Sequence, residues 1–297
     1  MSTKIDKTSL SDWIAAARPK TLPAAIAPVI VGAAEAARTG EIESWPVFIC
    51  LSFALLVQIA TNLANDYFDF VKGADTHERL GPERMVASGK IDPQLMWQAA
   101  VGLFLLAFVI GLTMVSYRGS EMLIVGILAI VFGYAYTGGP YPLAYHGLGD
   151  VFVIVFFGLV ATMGTVYVIT GQLTFEAFLL GLPLGLLANN ILVVNNYRDK
   201  ETDEAAGKRT LVVRYGRLFA RKQYAWQLAL AFLSLSIYVG TTRTLWPCLA
   251  FLSIPLGTKL IVELRRTTGS ALNELLANSA KLLLLFSALL ALGITLS

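Results

Sequence analysis

The sequence predicts an all-α fold, a polytopic membrane bundle of about nine transmembrane helices. Three observations predict it. Hydrophobic residues make up 56% of the 297-residue chain, charged residues only 14%, and the mean hydropathy is +0.65; a soluble domain carries roughly 25% charged residues. Nine apolar runs approach the ~20 residues that a helix needs to cross a bilayer. Lys and Arg fall almost wholly in alternate connections between those runs, the asymmetry expected of a multi-pass protein.

In chain order, the first 20 residues are polar and lack the blocks of a cleaved signal peptide. They read as an N-terminal segment left on the cytoplasmic side. The apolar runs follow at 23–37, 46–64, 95–116, 121–136, 149–170, 174–194, 224–241, 246–262 and 275–296. The first and fourth are short, and the polar GQLTFE break at 171–176 separates the fifth from the sixth. Counts of eight or ten are the alternatives. With nine, one face receives 19 of the 23 Lys and Arg residues, while the other has only Arg38, Arg118 and Arg243; Lys281 lies within the last run. The long polar connections therefore face the cytoplasm. No Ser-, Pro- or Gly-rich linker divides the chain, so residues 1–297 read as one domain in the lipid bilayer.

The same residues exclude several functions. A net charge of +3, with the bases segmented by apolar runs, gives no nucleic-acid surface. Cys50 and Cys248 lie within apolar runs and imply no disulfide framework. His77 and His146 are the only histidines, too few for a His-based metal site. Gly181 and Gly185 form the Gly-x-x-x-Gly spacing of close helix approach. Pro23, Pro28, Pro183 and Pro255 read as bends in spans.

Two acidic clusters stand out. NLANDYFDFVKGAD (62–75) closes the second run, and NNYRDKETDEAAGKRT (195–210) closes the sixth. Asn62, Asp66 and Asp69 stand at i, i+4 and i+7; Asn195, Asp199 and Asp203 stand at i, i+4 and i+8. On continuous helices each set lines one face. An even number of spans separates the clusters, so both meet the same membrane surface. Carboxylates crowded there repel one another unless a cation intervenes. Mg²⁺ suits oxygen donors shared with substrate phosphates. Lys72, Arg84, Arg198, Lys208 and Arg209 flank the acids, and Arg18 heads the first run. Acids and bases together suit a diphosphate bridged by metal. Asp75, Glu78, Glu201 and Glu204 read instead as solvated loop charges. Tyr67, Tyr136, Tyr141, Tyr145 and Tyr197 lie near the clusters and read singly as interfacial belt residues, although their ring faces suit a carbocation. His146 reads as a solvated loop histidine.

These clusters resemble the two aspartate-rich motifs of the UbiA superfamily of intramembrane aromatic prenyltransferases. Within it, the resemblance is to enzymes acting on 1,4-dihydroxy-2-naphthoate in menaquinone synthesis. It rests on ARPKTLPAAIAPVIVGAA (17–34), NLANDYFDFVKGAD (62–75), GPERMVASGKI (81–91), YTGGPYPLAYHGLGD (136–150) and NNYRDKETDEAAGKRTLVVRYG (195–216). The first family motif, NDxxDxxxD, is matched by Asn65, Asp66 and Asp69, but its last position is Gly73; Asp75, two residues on, leaves its own role open. The second, DxxxD, is matched by Asp199 and Asp203. The resemblance implies that Asn65 and these four catalytic acids hold Mg²⁺ on a polyprenyl diphosphate in a central lipid-lined pocket. Asn62, Lys72, Asn195 and Arg198 join the substrate-binding set, in which Arg18, Lys208 and Arg209 are implied to contact the diphosphate. It further implies prenyl transfer to the naphthoate with loss of CO2 and diphosphate, at the cytoplasmic face of a bacterial inner membrane. Other acceptors or donors of the superfamily, 4-hydroxybenzoate or a phytyl group, are the alternative.

Two rival readings predict different patterns. A CDP-alcohol phosphotransferase packs its acids into one contiguous motif, whereas these clusters lie far apart in the chain. A cation-coupled transporter would place ionisable groups near mid-bilayer on broken helices.

Overall fold

A computed structural model describes residues 8–40, 43–75 and 80–297. The described residues are helical and turn, with no strand among them. Lys4, Lys7, His77, Glu78 and Arg79 lie outside the described residues.

Local chemistry sets the first elements. Ser9 and Asp12 form a reciprocal capping box that starts α1, Leu10–Ala17. Arg18 closes it in the left-handed conformation, and the chain turns by 55° into α2, Pro23–Arg38, with Pro23 in its first turn. Helix α3, Ser44–Val71, runs through the first acidic cluster. Asp92 accepts hydrogen bonds from the backbone N–H groups of Gln94 and Leu95 to start α4, Pro93–Arg118. Helix α5, Ser120–Ala135, is short.

The fifth predicted run is one span in three pieces: α6 (Gly149–Val153), a π-helical stretch (Ile154–Val160) and α7 (Ala161–Thr170). Thr174 caps α8, Phe175–Arg198. The short α9, Lys200–Ala205, follows, then α10, Leu211–Thr242, kinked where Gly216 leaves helical geometry. A 3₁₀ stretch, Trp246–Ser253, leads into α11, Ile254–Arg266, and α12, Leu272–Thr295, ends the bundle.

All nine predicted runs are therefore helical. Among the described residues, seven helices are long and apolar enough to span a membrane, or eight with the bent α1–α2 pair; α5, at 16 residues, is shorter. Nine is thus an approximate count, for the reason the sequence shows: the first and fourth runs are short.

Helix α8 is the axis. In its most apolar stretch 83% is buried, against 28% for α4. It packs on α10, α12 and the π-helical stretch. The close approach needs glycine on both sides. A Cβ on Gly158 would stand 2.6 Å from Gly181 O, and one on Gly185 would stand 2.5 Å from Ile154 O. Gly181 and Gly185 thus do what their spacing predicts. Pro28 and Pro183 lie inside helices, whereas Pro23 and Pro255 lie in first turns. Cys50 and Cys248 are free thiols.

Candidate active site

Helices α3 and α8 deliver their last turns to the same end of the bundle, around one polar cavity of about 180 Å³. From α3 it receives Asn62, Asn65 and Asp69. These stand at i, i+3 and i+7, one face of a helix. Asp66, one residue beyond Asn65, is rotated about 100° away. It is 1% exposed and turns to the 81–91 segment, where Oδ1 accepts from Val86 N and Oδ2 from Met85 N, both at 3.2 Å. Asp66 does not share the cavity face expected of it. The polar stripe is Asn62–Asn65–Asp69.

The anchored segment brings Arg84 back over the site. Its guanidinium lies 3.4 Å from Asp69 Oδ2 and 3.4 Å from Asp75 Oδ1. The Asp75 side chain is 1% exposed, so the expectation of a solvated loop charge is corrected. Arg84 can reach both acids because α3 ends between them.

From the other side come Asn195, Asp199 and Asp203. Helix α8 does not run through them: it ends at Arg198, and Asp199 joins it to α9. Arg198 forms a fork on Asp199, with Nε to Oδ1 at 2.7 Å and the terminal nitrogen to Oδ2 at 2.6 Å. It also donates to Asn195 Oδ1 at 2.9 Å and Asn273 Oδ1 at 2.7 Å. Arg198 therefore braces the acids from behind rather than lining the cavity.

A glycine turn then returns a base to the centre. Lys208 N donates to Asp203 O and Gly207 N to Glu204 O, the paired bonds of a Schellman cap. Gly207 takes φ +75°, the left-handed geometry that such a cap requires. The Lys208 ammonium is consequently 3.0 Å from Asp69 Oδ2 and 3.8 Å from Asp203 Oδ1. Arg18, at the α1–α2 corner, donates to Asn65 Oδ1 at 2.6 Å. Arg209, by contrast, is exposed, and its backbone N–H bonds to Tyr145 O.

Tyr145 completes the basic wall. Its hydroxyl donates to Asp69 Oδ1 at 2.9 Å, and the ammonium groups of Lys72 and Lys208 lie 4.4 and 4.9 Å from its ring centre. Burial, then the Asp69 charge, hold the phenol protonated well above its usual range. Burial likewise lowers Lys72, against the opposing pull of Asp69. Lys72 donates to Thr137 O at 2.6 Å and does not line the cavity.

Below the acids the walls become apolar. A second cavity of about 140 Å³ continues between α3, α5 and the Gly149–Thr170 span, and shares Gln58, Thr61, Tyr136, Val153 and Phe157 with the first. Tyr136 sits at the junction. Of the tyrosines read as belt residues, Tyr141 is 57% exposed and stacks on His146, while Tyr197 is buried and accepts from Arg221. Tyr67 stacks on Trp97. Glu201 and Glu204 are exposed, as expected.

Among the described residues no three His, Cys, Asp or Glu side chains converge on a metal position. Oxygen donors reach the cavity from both helix ends, Asn65 and Asp69 on one and Asp199 and Asp203 on the other, with Lys208 in contact with Asp69 and Asp203. Mg²⁺ is commonly held by one or two carboxylates together with substrate phosphates, and this donor set fits that mode. Sequence reasoning missed Asp150, which lines the same cavity. It closes the quoted 136–150 segment, but a lone acid at the head of a span repeats no spacing.

The family described as "UbiA prenyltransferase family" matches residues 25–285. The 1,4-dihydroxy-2-naphthoate octaprenyltransferase of Escherichia coli is 38% identical over 293 residues, covering 96% of this chain and 95% of that protein. A protein of the same description from Mycobacterium leprae is 36% identical, covering 86% of each. Human UbiA prenyltransferase domain-containing protein 1 is 32% identical, covering 97% of this chain and 84% of its own. A solved UbiA homolog from Archaeoglobus fulgidus bound to GPP and Mg²⁺ shares the fold, with a TM-score of 0.65 at 12% identity, over 96% of this chain and all of that one. On this evidence the chain is a multi-pass membrane protein, and it belongs to the UbiA prenyltransferase family.

Proposed function

We propose that this prenyltransferase joins an allylic polyprenyl group to 1,4-dihydroxy-2-naphthoate, with loss of CO2 and diphosphate, giving demethylmenaquinol for menaquinone synthesis. The observation that carries the reading is the pair of joined cavities: acids and bases from two helix ends above, an apolar tunnel below. That is the shape of an anionic head with a long hydrocarbon tail. The relatives from Escherichia coli and Mycobacterium leprae, at 38% and 36% identity, are named for octaprenyl transfer to 1,4-dihydroxy-2-naphthoate, which favours naphthoate over 4-hydroxybenzoate as the acceptor.

Arg18, Arg84 and Lys208 hold the diphosphate by its free oxygens. Asn65, Asp69, Asp199 and Asp203 are the residues that would hold Mg²⁺ against it. Bound there, Mg²⁺ supplies neutralisation of the charge growing on the departing diphosphate. Asp66 keeps the 81–91 segment closed over the site. Arg198 fixes Asp199, and the Tyr145 hydroxyl fixes Asp69. The tunnel keeps water from the allylic carbocation. Tyr136, at the junction, presents an aromatic ring to that cation.

The whole chain acts as one domain in this reading. The 19-to-3 distribution of Lys and Arg supports a cytoplasmic N-terminus and site, in this reading at a bacterial inner membrane. Among the described residues both acidic clusters stand at helix ends, which speaks against the transporter reading.

Membranes containing the chain, supplied with 1,4-dihydroxy-2-naphthoate, a prenyl diphosphate and Mg²⁺, test the proposal. Prenylated product and CO2 are expected in equal amounts, and chelation of the metal stops both. Absence of both products with the metal present would sink the reading.

A further inference from the structure

Asp150 has no task in the scheme above, although it is 5% exposed and lines the polar cavity. It begins a face that descends through the protein. Asp150, Val153 and Phe157 follow at i, i+3 and i+7; all three line the polar cavity, and the latter two also line the apolar tunnel. Across from them is Tyr136, whose hydroxyl approaches to 3.1 Å of where a Gly149 Cβ would stand. Tyr136 lies within electrostatic reach of Asp150, Asp203, Asp69 and Arg18 together. Asp150 thus stands at the junction where a diphosphate head gives way to its hydrocarbon tail. An aromatic acceptor must enter there to meet the allylic carbon.

The carboxylate is held from one side. Asn189 Nδ2 at 3.0 Å, from α8, and Gln223 Nε2 at 2.6 Å, from α10, both donate to Oδ1. Neither amide donates to Oδ2; besides them the carboxylate has only its own backbone N–H among the described residues. Two amides on one oxygen lock the rotamer of a carboxylate that lines the cavity, and leave Oδ2 without an amide partner. Packing alone would need only Oδ1. The Asn189 and Gln223 amide oxygens have no partner among the described residues, which fits amides turned to serve the carboxylate rather than themselves.

We propose that Asp150 is the general base for the aromatic acceptor, taking the proton of the hydroxyl next to its carboxylate; this rests on the aromatic prenyl transfer proposed above. Oδ2 accepts the proton and leaves an aryloxide. The aryloxide pair becomes a C=O bond as the carboxylate-bearing carbon forms the new bond to the allylic carbon. The allylic C–O bond breaks with its electron pair on the diphosphate. The adduct is a β-keto carboxylate, which loses CO2 readily because the C–C pair falls into an enolate. That enolate is the aromatic ring restored, and Asp150 returns its proton to the oxygen. No proton is gained or lost overall, and no further reactant is needed.

Full-length protein in proteoliposomes tests this with Asp150→Asn. Removing a general base lowers kcat by ~10²–10⁴-fold, while KM for the prenyl diphosphate should stay within about twofold of wild type. The deficit should shrink by up to about tenfold per pH unit as the pH rises, because the fraction of acceptor ionised unaided grows in that proportion below its own pKa, which the adjacent carboxylate raises above the ~10 of a simple phenol. A structural residue would give no such recovery. Near-wild-type turnover at pH 7 overturns the proposal, as does an inserted variant equally inactive at every pH. If Asp150→Asn does not insert, Asp150→Glu decides, since it keeps a carboxylate. A tenth or more of wild-type turnover supports a base, whereas an inserted but inactive Glu variant, or failure of both to insert, overturns it. If wild type itself makes no prenylated product, the proposed function fails and this proposal falls with it.

Discussion

The Lys208 ammonium stands 3.0 Å from Asp69 Oδ2, two residues from distant parts of the chain joined at the centre of the cavity. Asp203 Oδ1 lies 3.8 Å from the same nitrogen. A base in that position does two opposing things. It offsets the repulsion between the acids, and it competes with any divalent cation for them. Lys208→Met should therefore separate two constants. The apparent Mg²⁺ constant should tighten by about tenfold, while kcat/KM for the prenyl diphosphate should fall by ~10²-fold through loss of an electrostatic contact. Mg²⁺ titrations at several donor concentrations check this; both constants weakening together would contradict a bridging role.

Asp66 and Asp69 are three residues apart and should fail in different ways. Asp69 faces the cavity, so Asp69→Asn should remove nearly all turnover, and its unfolding temperature should fall only by the weakened contacts to Tyr145, Arg84 and Lys208. Asp66 receives two backbone N–H groups. In Asp66→Asn one of them meets an amide NH2, and a buried donor left unsatisfied costs about 1–3 kcal/mol. Proteolysis or hydrogen exchange of the 81–91 segment should accelerate more in Asp66→Asn, which loses a backbone anchor, than in Asp69→Asn, which weakens only the long contact to Arg84. Equal protection in both variants would return Asp66 to the cavity.

The same contrast marks how far the sequence could be read. Spans, basic asymmetry and both acidic clusters were legible because each is a one-dimensional pattern: apolar length, charge placement, helical spacing. Asn62, Asn65, Asp69, Asn195, Asp199, Asp203, Arg18 and Lys208 all line the cavity. The phase of the α3 stripe was not legible, since i+4 and i+3 spacings both share a face and only packing against 81–91 selects between them. Lys72, Arg198 and Arg209 flank the site without lining it, because a base beside an acid in sequence can brace it from behind, as Arg198 does. Asp150 was hidden for a further reason: its partners, Asn189 and Gln223, come from two other helices.

Tyr145 gives the site an alkaline limit. An unfolded tyrosine ionises near pH 10. Burial and the Asp69 charge raise the phenol in the folded protein above that. The folded state therefore binds this proton more tightly than the unfolded state. Its contribution is full below about pH 10 and is lost as the pH rises beyond. A hydrogen bond to a charged acceptor contributes about 1.5–3 kcal/mol. Tyr145→Phe should be less stable than wild type by that order at pH 8, and the gap should narrow between pH 10 and 11. Thermal unfolding of both proteins across this range is the measurement, and a pH-independent gap would contradict the assignment.

The length of the tunnel should select the donor. Small residues line it on several sides, among them Ala25, Ala54, Gly126, Ala129 and Gly164. Gly164 is the informative one. A Cβ placed there meets nothing within 4 Å, and its helix has ordinary α geometry. A larger side chain can thus enter the tunnel without displacing backbone, unlike one at Gly158 or Gly185. Gly164→Phe should block the tunnel partway and leave the acids untouched. An isoprenoid that ends before the block keeps its contacts, whereas a longer one must fold back or leave apolar surface in water, at ~25 cal/mol per Å². Five carbons of exposed chain at about 0.8 kcal/mol each correspond to several hundred-fold in affinity. Competition between geranyl and octaprenyl diphosphates should therefore shift toward geranyl by at least an order of magnitude, with kcat for geranyl nearly unchanged. If both donors lose activity in proportion, the tail runs elsewhere and the apolar cavity is not its tunnel.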